Sequence, residues 1–132
     1  MGSLTSHFYR EAKAVCFVCG VDDTNTLNTL RNWEEDVKRY EPHAQGFLVV
    51  NKMDVDNDEH QVNTVTANAF ADAMHMLQVY HVSAKAGEGI DDMFEDIVRN
   101  LFGRTSPAVP RGSQVFLEAQ GTVKEKTKWC PC

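Results

Sequence analysis

Nowhere in these 132 residues do eighteen or more apolar residues run together, so the sequence contains no stretch of the length a membrane span needs. The start, "MGSLTSHFYREAK", lacks a charged end followed by an apolar block, and no secretory signal is read there. Positive charge is scarce too. Thirteen Lys and Arg face 19 Asp and Glu, a net charge of −6, and this argues against the basic footprint of a nucleic-acid binder. The five histidines have no metal-ligand spacing. Cysteine is sparse, and Cys16 and Cys19 fall inside the strand-like run "AVCFVCG". A strand sends them to opposite faces, so they are expected as free thiols rather than as a metal or disulfide pair. The acidic loop "DVDNDEH" puts Asp54, Asp56 and Asp58 at calcium-loop spacing. It has Glu59 where such a loop needs glycine and Val65 where it needs a glutamate, so a solvated loop is expected. "MGSLTS" also fits the myristoylation pattern. The stronger readings there are a helix running into the first strand, or an expression leader.

What remains is a chain long enough for one domain, with punctuation that alternates strand and helix. "AVCFVCGV" (14–21), "GFLVV" (46–50) and "QVYHV" (78–82) read as buried parallel strands. Between the first two, Leu27, Leu30, Trp33, Val37 and Tyr40 fall on one expected helical face, with Thr24 as its N-cap and Glu41-Pro42 as its stop. A second helix is expected over about 64–77 with Phe70, Ala73, Met74 and Leu77 inward. A last one begins near Gly89 and buries Ile90, Phe94, Ile97, Val98 and Leu101. The pattern specifies an α/β fold, a parallel sheet of three strands with about three helices on its faces. Residues 1–102 carry 8 Lys+Arg against 17 Asp+Glu, whereas residues 103–132 carry 5 against 2. The second stretch has Pro, Gly and Ser without periodicity, so the chain is expected as a folded body over 1–102 and a flexible tail over 103–132.

In open α/β sheets, ligands bind beyond the carboxyl ends of the strands. Two polar clusters follow strands in this way: "NKMD" (51–54) and "SAK" (83–85). A carboxylate there can accept two hydrogen bonds at once, and guanine offers the matching edge, a ring N1–H beside an exocyclic amino group. Adenine lacks those donors and would leave the carboxylate unpaired. Asp54 is thus expected to select guanine, and Asn51 to tether the loop and reach toward the base. Lys52 would lay its aliphatic stem over the ring face. Ala84 would direct its backbone N–H at the guanine O6, with Ser83 and Lys85 bracing the turn. Read alone, Asn-Lys-x-Asp at a strand end is as often a turn with a helix cap.

With "SAK" after the next strand, however, "NKMD" resembles the guanine-specificity motifs of Ras-superfamily small GTPases. The flanks sharpen the resemblance to the Rab branch. "SLTSHFYREAKAVCFVCGV" looks like the segment that leaves the second switch, and "TNTLNTLRNWEEDVKRY" looks like the helix that follows. The terminal "CPC" resembles the doubly geranylgeranylated Cys-x-Cys ending of Rabs, which would make Cys130 and Cys132 lipid sites. The resemblance implies a P-loop NTPase-like fold, GTP or GDP with Mg²⁺, and a role in vesicle and membrane traffic. It also implies the Rab escort and prenylation machinery and Rab effectors as partners. The implied location is the cytoplasmic face of intracellular membranes when prenylated, and otherwise cytosol. Two lipid chains anchor stably where one binds marginally, and Lys124, Lys126 and Lys128 add attraction to anionic lipid.

Against the family pattern, no Gly-x-x-x-x-Gly-Lys-Ser/Thr string occurs in the sequence. The first-switch threonine, the Asp-x-x-Gly turn and the water-orienting glutamine are missing as well, so GTP hydrolysis has no visible machinery and no magnesium ligand is identified. The expectation is a truncated Rab-like domain with an unpaired apolar edge at 14–20. Base contacts alone, each worth about 1.5–3 kcal/mol, must offset association costs of about 4 kcal/mol or more. This gives roughly millimolar guanine affinity. The alternative of a different class is a nucleotide-free interaction fragment that acts as a decoy for Rab partners.

Overall fold

A computed structural model describes residues 6–103. The Met1-Gly2 start, the expected tail from residue 104 onward, and Cys130 and Cys132 lie outside the described residues. The chain forms two compact units, Met1–Ile90 and Asp91–Cys132.

The first unit runs α1 (Ser6–Tyr9), β1 (Ala14–Gly20), α2 (Thr24–Tyr40), β2 (Gln45–Asn51), a 3-10 turn (Asn57–Glu59), α3 (Thr64–Ala73) and β3 (Gln78–His81). Its three strands form one parallel sheet in the order β1-β2-β3, so the α/β class and the strand pattern expected from sequence are present. Four α-helices are described where about three were expected, the additional one being the single turn α1. In register, Val18 lies opposite Val49, and Val49 opposite Tyr80.

β2 is the middle strand, and Phe47, Leu48, Val49 and Val50 are all buried. Its two covered faces are the physical reason for the unbroken apolar run in the sequence. β1 pairs only with β2 among the described residues and alternates instead. Phe17 and Cys19 are buried while Cys16 and Val18 are exposed. The two cysteines therefore face opposite ways, and burial pushes the Cys19 thiol up to about 11.

One face of the sheet is closed by α2 against β1 and by α3 against β2 and β3. Phe17, Cys19 and Val21 meet Leu27, Leu30 and Val37 of α2, and Leu48 and Val50 meet Ala67, Phe70 and Ala71 of α3 in one cluster. The Arg31 guanidinium lies 5.4 Å from the Phe70 ring centroid and ties α2 to α3.

The buried stripe of α2 is Leu27, Leu30, Glu34 and Val37. Trp33 and Tyr40, expected on that face, are exposed. At about 100° per residue, steps of three carry positions 33 and 40 to the flank of the stripe, and position 34 falls within it. Glu34 is tolerated there because its carboxylate pairs with Lys38 one turn on. The cap is Asp23 rather than Thr24; its carboxylate accepts the Asn25 N–H at 2.8 Å.

α3 stops at Ala73 instead of reaching Leu77. His75 turns the chain out through a left-handed φ of 56°, and the Met76 N–H closes back on the Ala71 carbonyl at 2.8 Å. Met76 is therefore buried. Leu77, expected inside, is exposed and already at the strand entrance, where its N–H donates to the Gly46 carbonyl at 2.8 Å.

The described part of the second unit is α4 (Ile90–Phe102), whose first residue belongs to the first unit. It carries Asp91 and Asp92 in its first turn and Arg99 in its last, which suits the helix dipole. Its buried positions are Met93 and Ile97, whereas Phe94, expected inward, is exposed. Ile97 is buried as expected, and Met93 takes the inner place that was expected for Phe94.

Candidate functional site

Both polar clusters leave neighbouring parallel strands at the same end. Val50 and His81 are register partners, so Asn51 and Val82 follow side by side on one rim. The backbone laces the two exits together: the Val82 N–H donates to the Val50 carbonyl at 2.9 Å, and the Met53 N–H donates to the Val82 carbonyl at 3.1 Å.

Side chains then join the clusters directly. The Asn51 Oδ1 accepts the Ala84 backbone N–H at 3.0 Å. Asn51 is thus a tether between the loops. The N–H that the sequence reading directed at a guanine O6 is held by Asn51 in this structure. The Ser83 hydroxyl donates to the Asp54 Oδ1 at 2.6 Å and accepts the Ala86 N–H at 3.1 Å. Ser83 is completely buried, whereas Asp54 is exposed. A rigid hydroxyl therefore fixes a carboxylate that solvent and solutes can reach.

That hydroxyl is the main reason the Asp54 carboxyl lies below the ordinary carboxylate range. Slight desolvation works against it, and the charges of Lys85 and Lys52 add to it. Because the folded value is lowered, the bond contributes at pH above the usual carboxylate value and is lost as pH falls through the lowered one. Ser83→Ala is expected to move the Asp54 titration midpoint up toward its ordinary value. Carbon-detected NMR of the carboxyl across acidic pH reads this, and an unmoved midpoint would show that the hydroxyl does not hold the charge.

The loop after β3 is closed by its own backbone. Ser83 and Glu88 exchange two hydrogen bonds, both 3.0 Å, across the intervening turn. Gly89 has to be glycine: its φ is 74°, and a Cβ would lie 3.2 Å from the His81 carbonyl oxygen. Lys85 is exposed on this loop.

Lys52 adopts a left-handed φ of 67°, unusual for a residue with a side chain, and its ammonium donates to the Asp22 Oδ2 at 3.1 Å. Asp22 was not among the residues expected at this rim. Its signal was the pair of aspartates just after β1, on the rim that also carries "NKMD": Asp23 serves as the helix cap, and Asp22 is left for another task.

The rim presents one fixed carboxylate acceptor, while the Ala84 N–H and the Lys52 ammonium are engaged within the protein. Asp54 is a fixed, ionised acceptor, and Asn51, Lys52, Ser83, Ala84 and Lys85 stand around it on two adjoining loops. Among the described residues no three His, Cys, Asp or Glu side chains converge on a metal-sized point.

A sequence model of the Ras family matches residues 1–103. The chain is similar to the Ras-related protein RABE1d of Arabidopsis thaliana, 26% identical over 97% of this chain and 62% of that protein. It is 33% identical to the Ras-related protein RabG2 of Dictyostelium discoideum, over 81% of this chain and 56% of that one. The GTP-binding protein YPTM2 of Zea mays is 29% identical over 97% of this chain and 64% of its own length. The chain therefore spans less than two thirds of each of these relatives. Matched by the family over 103 of its 132 residues, it belongs to the Ras family of small GTPases, on the Rab side of that family.

Proposed function

We propose that the rim formed by residues 51–54 and 83–85 recognises the guanine base of GTP or GDP, in a Rab-like protein of vesicle and membrane traffic. Ras-family membership implies guanine nucleotide, magnesium and effector binding in general. The observation that carries the reading for this chain is the Ser83–Asp54 hydrogen bond of 2.6 Å, which holds an exposed carboxylate ionised and fixed in direction. Such an acceptor matches the paired donors of guanine and is left unpaired by adenine. Asn51 supports this by locking the two loops at 3.0 Å, so the acceptor and the loop after β3 move as one. Phosphate and magnesium contacts have no identified residues in this sequence, and base contacts alone give roughly millimolar affinity. Titration calorimetry of the 132-residue chain with GDP and with ADP is the test. Weak GDP heats that exceed those of ADP and do not depend on magnesium are expected. Equal heats for the two nucleotides would refute the reading.

The body is read as residues 1–102 and the tail as 103–132, with Cys130 and Cys132 as prenylation sites. The anchored form would sit on the cytoplasmic face of intracellular membranes and the unmodified form in the cytosol, with the Rab escort and prenylation machinery and Rab effectors as partners. Among the described residues no helix is long and apolar enough to cross a membrane. Changing one cysteine to serine should leave a single lipid and reversible binding, and changing both should release the protein. Cell fractionation reads the difference. Membrane retention of the double variant would rule this anchor out, and release by Gly2→Ala would assign it to the other end.

A further inference from the structure

The geometry points to Asp22 as the positioning residue for Lys52, and to Gly20 as the residue whose missing side chain makes room for it. This rests on the guanine reading above. Gly20 ends β1. A Cβ built there would come within 2.5 Å of the Asp22 Oδ1, and 3.7 Å from both Cδ and Cε of Lys52. A side chain at position 20 would therefore displace the Asp22 carboxylate from its place, while only touching the Lys52 stem at ordinary contact distance. Asp22 Oδ2 accepts from the Lys52 ammonium at 3.1 Å. Asp22 Oδ1 is buried and accepts no hydrogen bond from the described residues, an arrangement proteins avoid unless something else holds the group there.

Lys52 is held from the other end as well. Its backbone is left-handed, and its carbonyl accepts the Val55 N–H at 3.1 Å. With both ends fixed, the four-carbon stem is drawn along the rim from β2 toward the end of β1, two residues before Asp54 in the chain. A free lysine would spread its head through solvent and lose that direction. Asp22 thereby turns a mobile cation into an apolar surface beside the base-selecting carboxylate. Asp22 takes one of the three ammonium donors and sets the direction of the side chain, so the contribution assigned to Lys52 in binding is its stem.

The test uses the full 132-residue chain. In the absence of nucleotide, NMR relaxation of the Lys52 Cε methylene should report an ordered stem in the parent and an averaged one in Asp22→Asn and Gly20→Ala. On titration with GDP, each variant should bind about threefold more weakly, the size expected of a half-exposed ion pair. Asp22→Asn should add nothing in a Lys52→Met background. An equally mobile Lys52 in parent and variants overturns the proposal. So does an Asp22→Asn effect that persists undiminished without Lys52. A parent that binds GDP while Asp22→Asn binds it equally well sinks this inference alone; a parent with no GDP response sinks the guanine reading and this with it.

Discussion

Asp54→Ala is expected to remove the proposed preference for GDP over ADP and to lower GDP affinity by tenfold or more. The variant deletes both oxygens that would meet the guanine edge, and each charge-assisted bond is worth about 1.5–3 kcal/mol. Adenine nucleotides make no such bonds, so their binding should hardly change. The fold should survive, because Asp54 is exposed and lies in no strand or helix. Its loss does strand the buried Ser83 hydroxyl, which then has only the Ala86 N–H at 3.1 Å to satisfy it. A small drop in stability accompanies the change, within about 1–3 kcal/mol. Calorimetry with the two nucleotides, beside a circular-dichroism melt, separates specificity from stability. Retained discrimination by a folded Asp54→Ala chain would mean that the base is selected elsewhere.

Phe47→Ala should cost about 3–5 kcal/mol and bring the chain close to unfolding. Phe47 is fully buried in the middle strand, with its ring centroid 6.1 Å from that of Tyr80. Domains of this kind have only about 5–15 kcal/mol in reserve, so a large fraction is lost in one step. Val18→Ala is the control. Val18 is on the same sheet, in the neighbouring strand, but 52% exposed, and its truncation should stay within about 0.5 kcal/mol. Urea unfolding of both variants gives the comparison. Equal midpoints would show that β2 is not the centre of the packed sheet.

The alternation of strand and helix was legible in the sequence, since each signal is local. The run Phe47 to Val50 is apolar throughout because a strand covered on both sides has no solvent face to mark. Cys16 and Cys19 separate by the two-residue period of a strand. "NKMD" and "SAK" could be assigned to one rim because parallel neighbours end on the same side of a sheet.

Helix faces and ends were less legible. The spacing of Leu27, Leu30, Trp33 and Val37 fits a stripe, but whether Trp33 or Glu34 faces inward depends on how α2 is rotated against β1. That rotation is set by packing, and the Glu34–Lys38 pair lets a charge take the inner position. α3 had apolar residues enough to continue to Leu77. It stops because Leu77 is needed at the entrance of β3, where its N–H meets Gly46. Asp22, Gly20 and Lys52 lie up to 32 positions apart by number, and nothing local couples a missing Cβ to a carboxylate and an ammonium. The sequence by itself determined the elements, their order and the two polar loops, because hydrophobic period and turn chemistry act within a few residues. Only the tertiary structure decided that Ser83 holds Asp54, Asn51 holds Ala84 and Asp22 holds Lys52, because those bonds exist only once three parallel strands bring their ends to one rim.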